Sequence, residues 1–281
     1  MQPFRQPVEF GATPSVMGII NVTPDSFHDG GRHYSVESAI EHGVRLVEEG
    51  AAVLDVGGES TRPGSEEVSA EDELKRVLPA VLGLKERVDV PISVDTWKSK
   101  VAAEVINAGA DWINDVSAGH RDPDMLRVVA EAKVPYVSMH MRGTPQSMQS
   151  LTEYEDLIGE ITAYFGDRLE AFEKVGGNRE MMILDPGIGF AKLPEDNYRL
   201  LANLELFRSL GQPMLIGPSR KSFLKVVGVN NTDDRLPGTL AAVAVCAQAG
   251  VEVVRVHDVK EAVQVINVVR LILERSNDTG E

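Results

Sequence analysis

Val16-Met17-Gly18-Ile19-Ile20 runs straight into Asn21-Val22-Thr23-Pro24-Asp25-Ser26-Phe27-His28-Asp29-Gly30-Gly31, and this change from apolar to polar decides how the chain is read. A short apolar run bounded by turn residues reads as a buried strand. The stretch after it has a proline, two glycines and few helix formers, so it reads as a loop. Apolar residues at Val36, Ile40, Val44 and Val47 then keep a helical spacing until Gly50 closes the segment. Strand, polar loop and helix make one unit, and the rest of the chain repeats it.

Seven more strands follow at Ala51 to Gly57, Pro91 to Asp95, Trp112 to Val116, Pro135 to His140, Met181 to Asp185, Pro213 to Gly217 and Val251 to His257. Each is followed by an apolar pattern of helical period. Strands alternating with helices imply a parallel sheet, and eight such units imply a closed (β/α)8 barrel, the TIM barrel, with a doubly wound open sheet as the structural alternative. Two features favour the barrel. Helix-to-strand returns are tight at Gly50, Gly109, Gly211 and Gly250, whereas most loops after the strands are long, so one rim is elaborated. Polar residues also end nearly every strand, where an open sheet would gather its site at one switch point.

A chain of 281 residues fits such a barrel as one domain. We take residues 1–14 as an N-terminal extension and 275–281 as a flexible tail. An apolar fraction of 43% and a charged fraction of 25% are those of an ordinary globular protein. The early prolines argue against a secretory signal, and no run reaches the ~18 apolar residues of a membrane span, so a cytoplasmic protein is expected. A net charge of −15 excludes nucleic acid and anionic membrane as partners, because both need a basic surface. An anionic substrate must then meet a local basic cluster or a metal. The single cysteine, Cys246, reads as a packed thiol. The helix from Leu240 to Ala247 is apolar on all sides, which predicts a second covering surface and hence a homodimer.

Asn21, Asp95, Asn114, Asp115 and Asp185 fall at the ends of different strands. Each alone has a bland explanation, since Asn and Asp favour turns. Their convergence on one rim is the stronger reading. Asn114 and Asp115 are neighbours on a strand, so only one of them can face the mouth. Arg255 and His257 sit two apart on the last strand and share a face; they read as an ion pair with a nearby Asp or as a phosphate site. Ser219 to Phe223 (SRKSF) ends the seventh strand where a helix start could present free N–H groups to an anion, and Thr61 and Arg62 precede Pro63 and Gly64 in a second mobile basic loop. The six histidines form neither an HxH strand pair nor an HExxH helix, which gives a zinc site little support. Magnesium needs only one or two protein oxygens beside substrate phosphates and water, and Asn21 is the candidate ligand.

Together these runs resemble the dihydropteroate synthase family: NVTPDSF with DGG (Asn21 to Gly31), GGESTRPG (Gly57 to Gly64), SVDT (Ser93 to Thr96), INDV (Ile113 to Val116), MHMRGTP (Met139 to Pro145), DPGIGFAK (Asp185 to Lys192), SRKSF and RVH (Arg255 to His257). The resemblance spans residue 17 to about residue 273. It implies condensation of a dihydropterin pyrophosphate ester with 4-aminobenzoate, releasing pyrophosphate, with Mg2+ as cofactor. Transferred onto matching positions, it implies a pterin pocket of Asp95, Asn114, Met139, Asp185, Lys221 and Arg255. A pyrophosphate site of Asn21, Thr61, Arg62, Arg255 and His257 is implied as well, with Asn21 on the metal. The 4-aminobenzoate side would be Phe27, Thr61, Arg62, Pro63, Phe190, Lys221 and Ser222. A dissociative reaction is expected, in which Asp95 and Asp29 face the pterin cation while Arg255 and His257 face the departing anion. Asp25 to Gly31 reads as a lid that closes once the pterin ester is bound.

His28, and Leu193 with Pro194, depart from the family pattern without touching an assigned position. Two rivals stand beside the synthase: a pterin-barrel methyltransferase, which has no use for a pyrophosphate site, and a catalytically silent pterin-binding paralogue, whose signature would be loss of Asn21, Asp95 or Lys221.

Overall fold

A computed structural model describes residues 10–22, 32–62 and 64–277. All eight expected strands are present and parallel: β1 (Ser15–Asn21), β2 (Val53–Gly57), β3 (Ile92–Asp95), β4 (Trp112–Asp115), β5 (Tyr136–Met139), β6 (Met182–Asp185), β7 (Leu215–Ile216) and β8 (Val253–Val256). The helices that follow them are α1 (Arg32–Glu48), α2 (Ala70–Lys85), α3 (Ser99–Asn107), α4 (Met125–Ala132), α5 (Leu157–Lys174), α6 (Pro194–Leu201), α7 (Leu236–Gln248) and α8 (Val259–Asn277). The sheet order is β6-β5-β4-β3-β2-β1-β8-β7, and a parallel bridge from Leu184 to Met214 joins its ends. The barrel, not the open sheet, is the fold.

β1 pairs with β2 on one side and β8 on the other, so chain ends far apart in sequence become neighbours. Because side chains alternate across a strand, Met17, Val53, Trp112, Val137, Ile183, Leu215 and Val253 meet inside as one apolar layer. Phe10 closes this layer from below, its ring edge-on to Trp112 at 6.3 Å. Part of the expected extension is thus packed against the barrel floor. β7 is shorter than the expected Pro213 to Gly217; Pro213 has no N–H for a ladder and contributes only its carbonyl, to Leu184 N at 2.9 Å.

The helices pack their apolar stripes on the outer strand faces. α2 starts where Ser69 accepts from Asp72 N at 3.1 Å, followed by three acidic residues in its first turn. Gly43 lets α1 lie close, because a Cβ there would meet Leu84 Cδ2 at 2.5 Å and Ile20 Cδ1 at 2.8 Å. α7 buries Thr239, Ala242, Val243, Cys246 and Ala247 and packs on α8, while its Val245 is exposed. Burial pushes the Cys246 thiol up to about 12, as expected of a packed thiol. α8 continues to Asn277, so the first residues of the expected tail are helical. No helix among the described residues is long and apolar enough to cross a membrane.

Candidate active site

Two residues above the apolar layer, the same inward positions turn polar: Asp55 on β2, Asp95 on β3, Asn114 on β4, Asp185 on β6 and Arg255 on β8. The Arg255 guanidinium joins three strands. Its Nε donates to Asp55 Oδ2 at 2.6 Å and its Nη2 to Asp95 Oδ2 at 2.9 Å, while Asn114 Nδ2 donates to Asp55 Oδ2 at 3.0 Å. Of the two readings for Arg255, the structure displays the ion pair, and two of its nitrogens are occupied by carboxylates. Burial alone would lower its pKa, but Asp55 and Asp95 more than offset this.

Asp55 was missed from sequence. It lies in the middle of an apolar strand rather than at its end, where turn-favouring polar residues cluster. The available signal was the one used for Arg255, that a charge inside a buried strand requires a partner.

Asn114 faces the mouth, and Asp115 points outward. Asp115 accepts from Tyr136 Oη at 2.8 Å, Ser117 N at 2.7 Å, Ser117 Oγ at 2.8 Å and Gly119 N at 2.7 Å. Three of these bonds serve the turn after β4, and the fourth ties Asp115 to the neighbouring strand β5. Burial raises the Asp115 carboxyl against these donors, and the residue has no access to the mouth.

Burial pushes Asp95 up to about 7, with Asp55 adding to the rise and Arg255 opposing it. Asp185 is raised by burial too, although Lys221 lies near and Gly187 N donates to its Oδ1 at 2.8 Å. Lys221 reaches in from beyond β7, where the inward position is Gly217; a Cβ there would come within 3.5 Å of Lys221 Nζ and 3.9 Å of Arg255 Cβ. The Lys221 ammonium donates to Ile188 O at 2.6 Å and stands 4.6 Å from the Phe190 ring centre. Burial lowers it to about 8, against Asp185. Met139 packs with Val116, Met141, Met148 and Ala191 beside Phe190. The inward polar layer, the Lys221 cation and the apolar cluster beside Phe190 therefore lie together.

Ser219 orients His257. Its Oγ accepts from His257 N at 3.2 Å and lies 2.9 Å from Nδ1, within hydrogen-bond reach of either imidazole tautomer. Burial, then Arg255 and Arg220, hold the imidazole down at about 4, so it is neutral at pH 7. His257 thus presents a neutral imidazole rather than a cation. Arg220 turns away into a two-pronged pair with Asp258, at 2.9 and 2.6 Å. Ser222 is exposed and opens a six-residue 3-10 turn, Ser222–Val227, in place of an α-helix start.

Asn21 closes β1, half-buried. Its Oδ1 and Asp95 Oδ2 each lie 4.0 Å from where a Gly57 Cβ would stand, so the absent side chain leaves a small oxygen-lined cradle. Thr61 is half-buried and Arg62 exposed on the loop after β2, and the Arg62 charge is among those acting on His257. Phe27, His28, Asp29, Pro63 and the proposed lid from Asp25 to Gly31 lie outside the described residues.

Sequence reading also passed over Lys192. Its buried ammonium lies 3.0 Å from His140 Nδ1 and donates to Phe190 O at 2.9 Å. Burial lowers it to about 7 and His140 to about 2. A lone lysine after a glycine-rich turn resembles a solvated one until the fold covers it. Among the described residues, no group of three or more His, Cys, Asp or Glu could hold a metal ion.

Comparison with known proteins matches residues 17–257 to the family of pterin binding enzymes. The dihydropteroate synthase of Synechocystis is 44% identical over 92% of this chain and 90% of its own length, and that of Escherichia coli K12 is 44% identical over 92% of each. The Xanthomonas albilineans dihydropteroate synthase solved with 4-aminobenzoic acid superposes with a TM-score of 0.87 at 44% identity, covering 93% of both chains. The same enzyme in complex with 7,8-dihydropteroate gives 0.84 at 41%, covering 93% and 94%. On this similarity over nearly its whole length, the chain belongs to the dihydropteroate synthase family of pterin binding enzymes.

Proposed function

We propose that this protein condenses 6-hydroxymethyl-7,8-dihydropterin pyrophosphate with 4-aminobenzoate, giving 7,8-dihydropteroate and pyrophosphate in folate synthesis. The observation that carries this is the inward polar layer: Asp55, Asp95, Asn114 and Asp185 around Arg255 and Lys221, at the C-terminal rim where barrels hold their sites. Asp185 and Asp95 suit the donor-rich edge of an amino-pyrimidine, and Asn114 offers both a donor and an acceptor. Lys221 suits the pterin carbonyl and ring nitrogen, and Met139 the ring face. A neutral His257 and Arg62 suit the pyrophosphate. Phe190, Thr61 and Ser222 border the 4-aminobenzoate side.

The reaction this arrangement favours breaks the carbon–oxygen bond first. The pyrophosphate leaves with the electron pair, the pterin spreads the positive charge, and the neutral amine attacks the methylene carbon before shedding its proton. Fixed carboxylates facing the cation supply preorganised stabilisation, usually the largest catalytic contribution. No strong base is required.

The Asn21 oxygen beside the Gly57 cradle is a hard donor that fits Mg2+ completed by phosphate oxygens and water. When bound, such an ion would neutralise charge on the pyrophosphate. Val245 on α7 and Val268, Leu271 and Ile272 on α8 are exposed apolar residues on two packed helices, and this supports a homodimer along them. Cytoplasmic residence and competition by sulfonamide analogues of 4-aminobenzoate follow from the same reading.

Incubation with the pterin ester, 4-aminobenzoate and magnesium should release pyrophosphate in step with dihydropteroate. A folded protein with no turnover overturns the proposal. Slow ester hydrolysis without 4-aminobenzoate is expected, and its absence would reject the dissociative order.

A further inference from the structure

The loop after β2 is held at both ends, and its root rests on a buried charge cluster outside the mouth. Lys98, following β3, forms ion pairs with Glu59 at the loop root and with Glu73 on α2. The Lys98 and Glu59 side chains are each 8% exposed and that of Glu73 is fully buried. Arg76 of α2 also donates to Gly58 O at 2.7 Å. The root packs closely on α2, since a Cβ on Gly58 would meet Val77 Cγ1 at 2.6 Å. At the far end Gly64 N donates to Pro145 O at 3.0 Å, and Gln146 Nε2 to Ser65 O at 2.5 Å, tying this loop to the one after β5. Thr61 and Arg62 lie between the two attachments.

Such a cluster is a poor way to gain stability. A buried ion pair scarcely repays its desolvation, and apolar residues of the same size often serve better. Here one ammonium answers two carboxylates. Burial raises the Glu73 carboxyl against the bond from Lys98. What the cluster does provide is direction. It links the connection from β3 to α3, a covering helix and the loop root at one point, and the Lys98 ammonium is further fixed 4.4 Å from the Trp97 ring centre.

We infer that Lys98 is a positioning residue, whose ion pairs with Glu59 and Glu73 fix the root of the loop after β2 and thereby place Thr61 and Arg62 at the 4-aminobenzoate and pyrophosphate end of the mouth. This rests on the proposed function for its catalytic readout, though not for its structural one. Lys98 touches no reacting group, and its partner Glu73 acts on the pterin pocket as a charge on Asp95, behind Arg255 and Asp55. Its loss therefore separates the two substrates.

The test uses the full chain carrying Lys98→Met, and a second variant, Glu59→Gln with Lys98→Met, that removes a stranded carboxylate should the first fold poorly. Hydrogen exchange over residues 58–65 of the free protein, pterin affinity, and KM for 4-aminobenzoate are measured. Exchange should quicken about tenfold in both variants and KM rise about tenfold, corresponding to some 1.4 kcal/mol of lost placement, with pterin affinity within about twofold of the parent. The double variant should regain melting temperature without regaining KM. A lower melting temperature with loop exchange and KM unchanged, or equal losses for both substrates, overturns the inference. If the parent protein turns nothing over, the proposed function fails, while the exchange measurement still decides the role of Lys98.

Discussion

The floor and the mouth of the barrel are built from the same strands, two residues apart, yet they obey opposite rules. Met17, Val53, Trp112 and Val253 form a dry layer needing only shape. One step up, Asp55, Asp95, Asn114 and Arg255 form a layer where every group depends on a named partner. The contrast shows how one fold separates durability from chemistry: packing tolerates substitution in proportion to volume lost, whereas a charge network fails when any member leaves a buried charge alone.

Arg255→Met should have the largest effect, because it damages both properties of the upper layer. Stranding the Asp55 and Asp95 carboxylates should cost about 3–5 kcal/mol in urea unfolding, and kcat/KM should fall about a thousandfold. Trp112→Ala should cost a similar or slightly smaller stability, about 3–4 kcal/mol, with both KM values of the folded fraction unchanged. A large KM shift in that variant would dissolve the distinction between floor and mouth.

The pH dependence sharpens the same point. Asp95 is raised to about 7 by burial, and an acceptor of pterin donors must be ionised; pterin affinity should therefore improve about tenfold from pH 6 to 8, as titration calorimetry would show. Stability runs the other way. A carboxyl raised in the folded state holds its proton more tightly than in the unfolded chain, so its contribution is full below the unfolded value near 4 and is lost as pH rises through about 7. The smallest effect belongs to Asp115→Asn, which should lose about 1–2 kcal/mol of stability through weakened bonds to Ser117, Gly119 and Tyr136, leaving turnover unaltered. Lost turnover there would bring the outward face into the chemistry.

Asn114 and Asp115 illustrate how far the sequence could be read. Strand alternation says that they part company but not which one enters the barrel. That choice depends on the register of β4 against β3, where Asp95 lies beside Asn114. Lys221 and His257 were legible because short-range motifs flank them. Asp55, Lys192 and Lys98 were not, since each resembles an ordinary surface or strand residue until distant elements cover it.

The sequence by itself determined the eight strand–helix units and the rim that carries the polar ends, because the periods of two and of about 3.6 residues are local properties of the backbone. Tertiary structure alone decided that Arg255 meets Asp55 across 200 residues of chain, that His257 stays neutral, and that Lys98 stands between two glutamates. Those outcomes follow from barrel closure, which sets β8 beside β1 and removes water from charges whose partners no local pattern specifies.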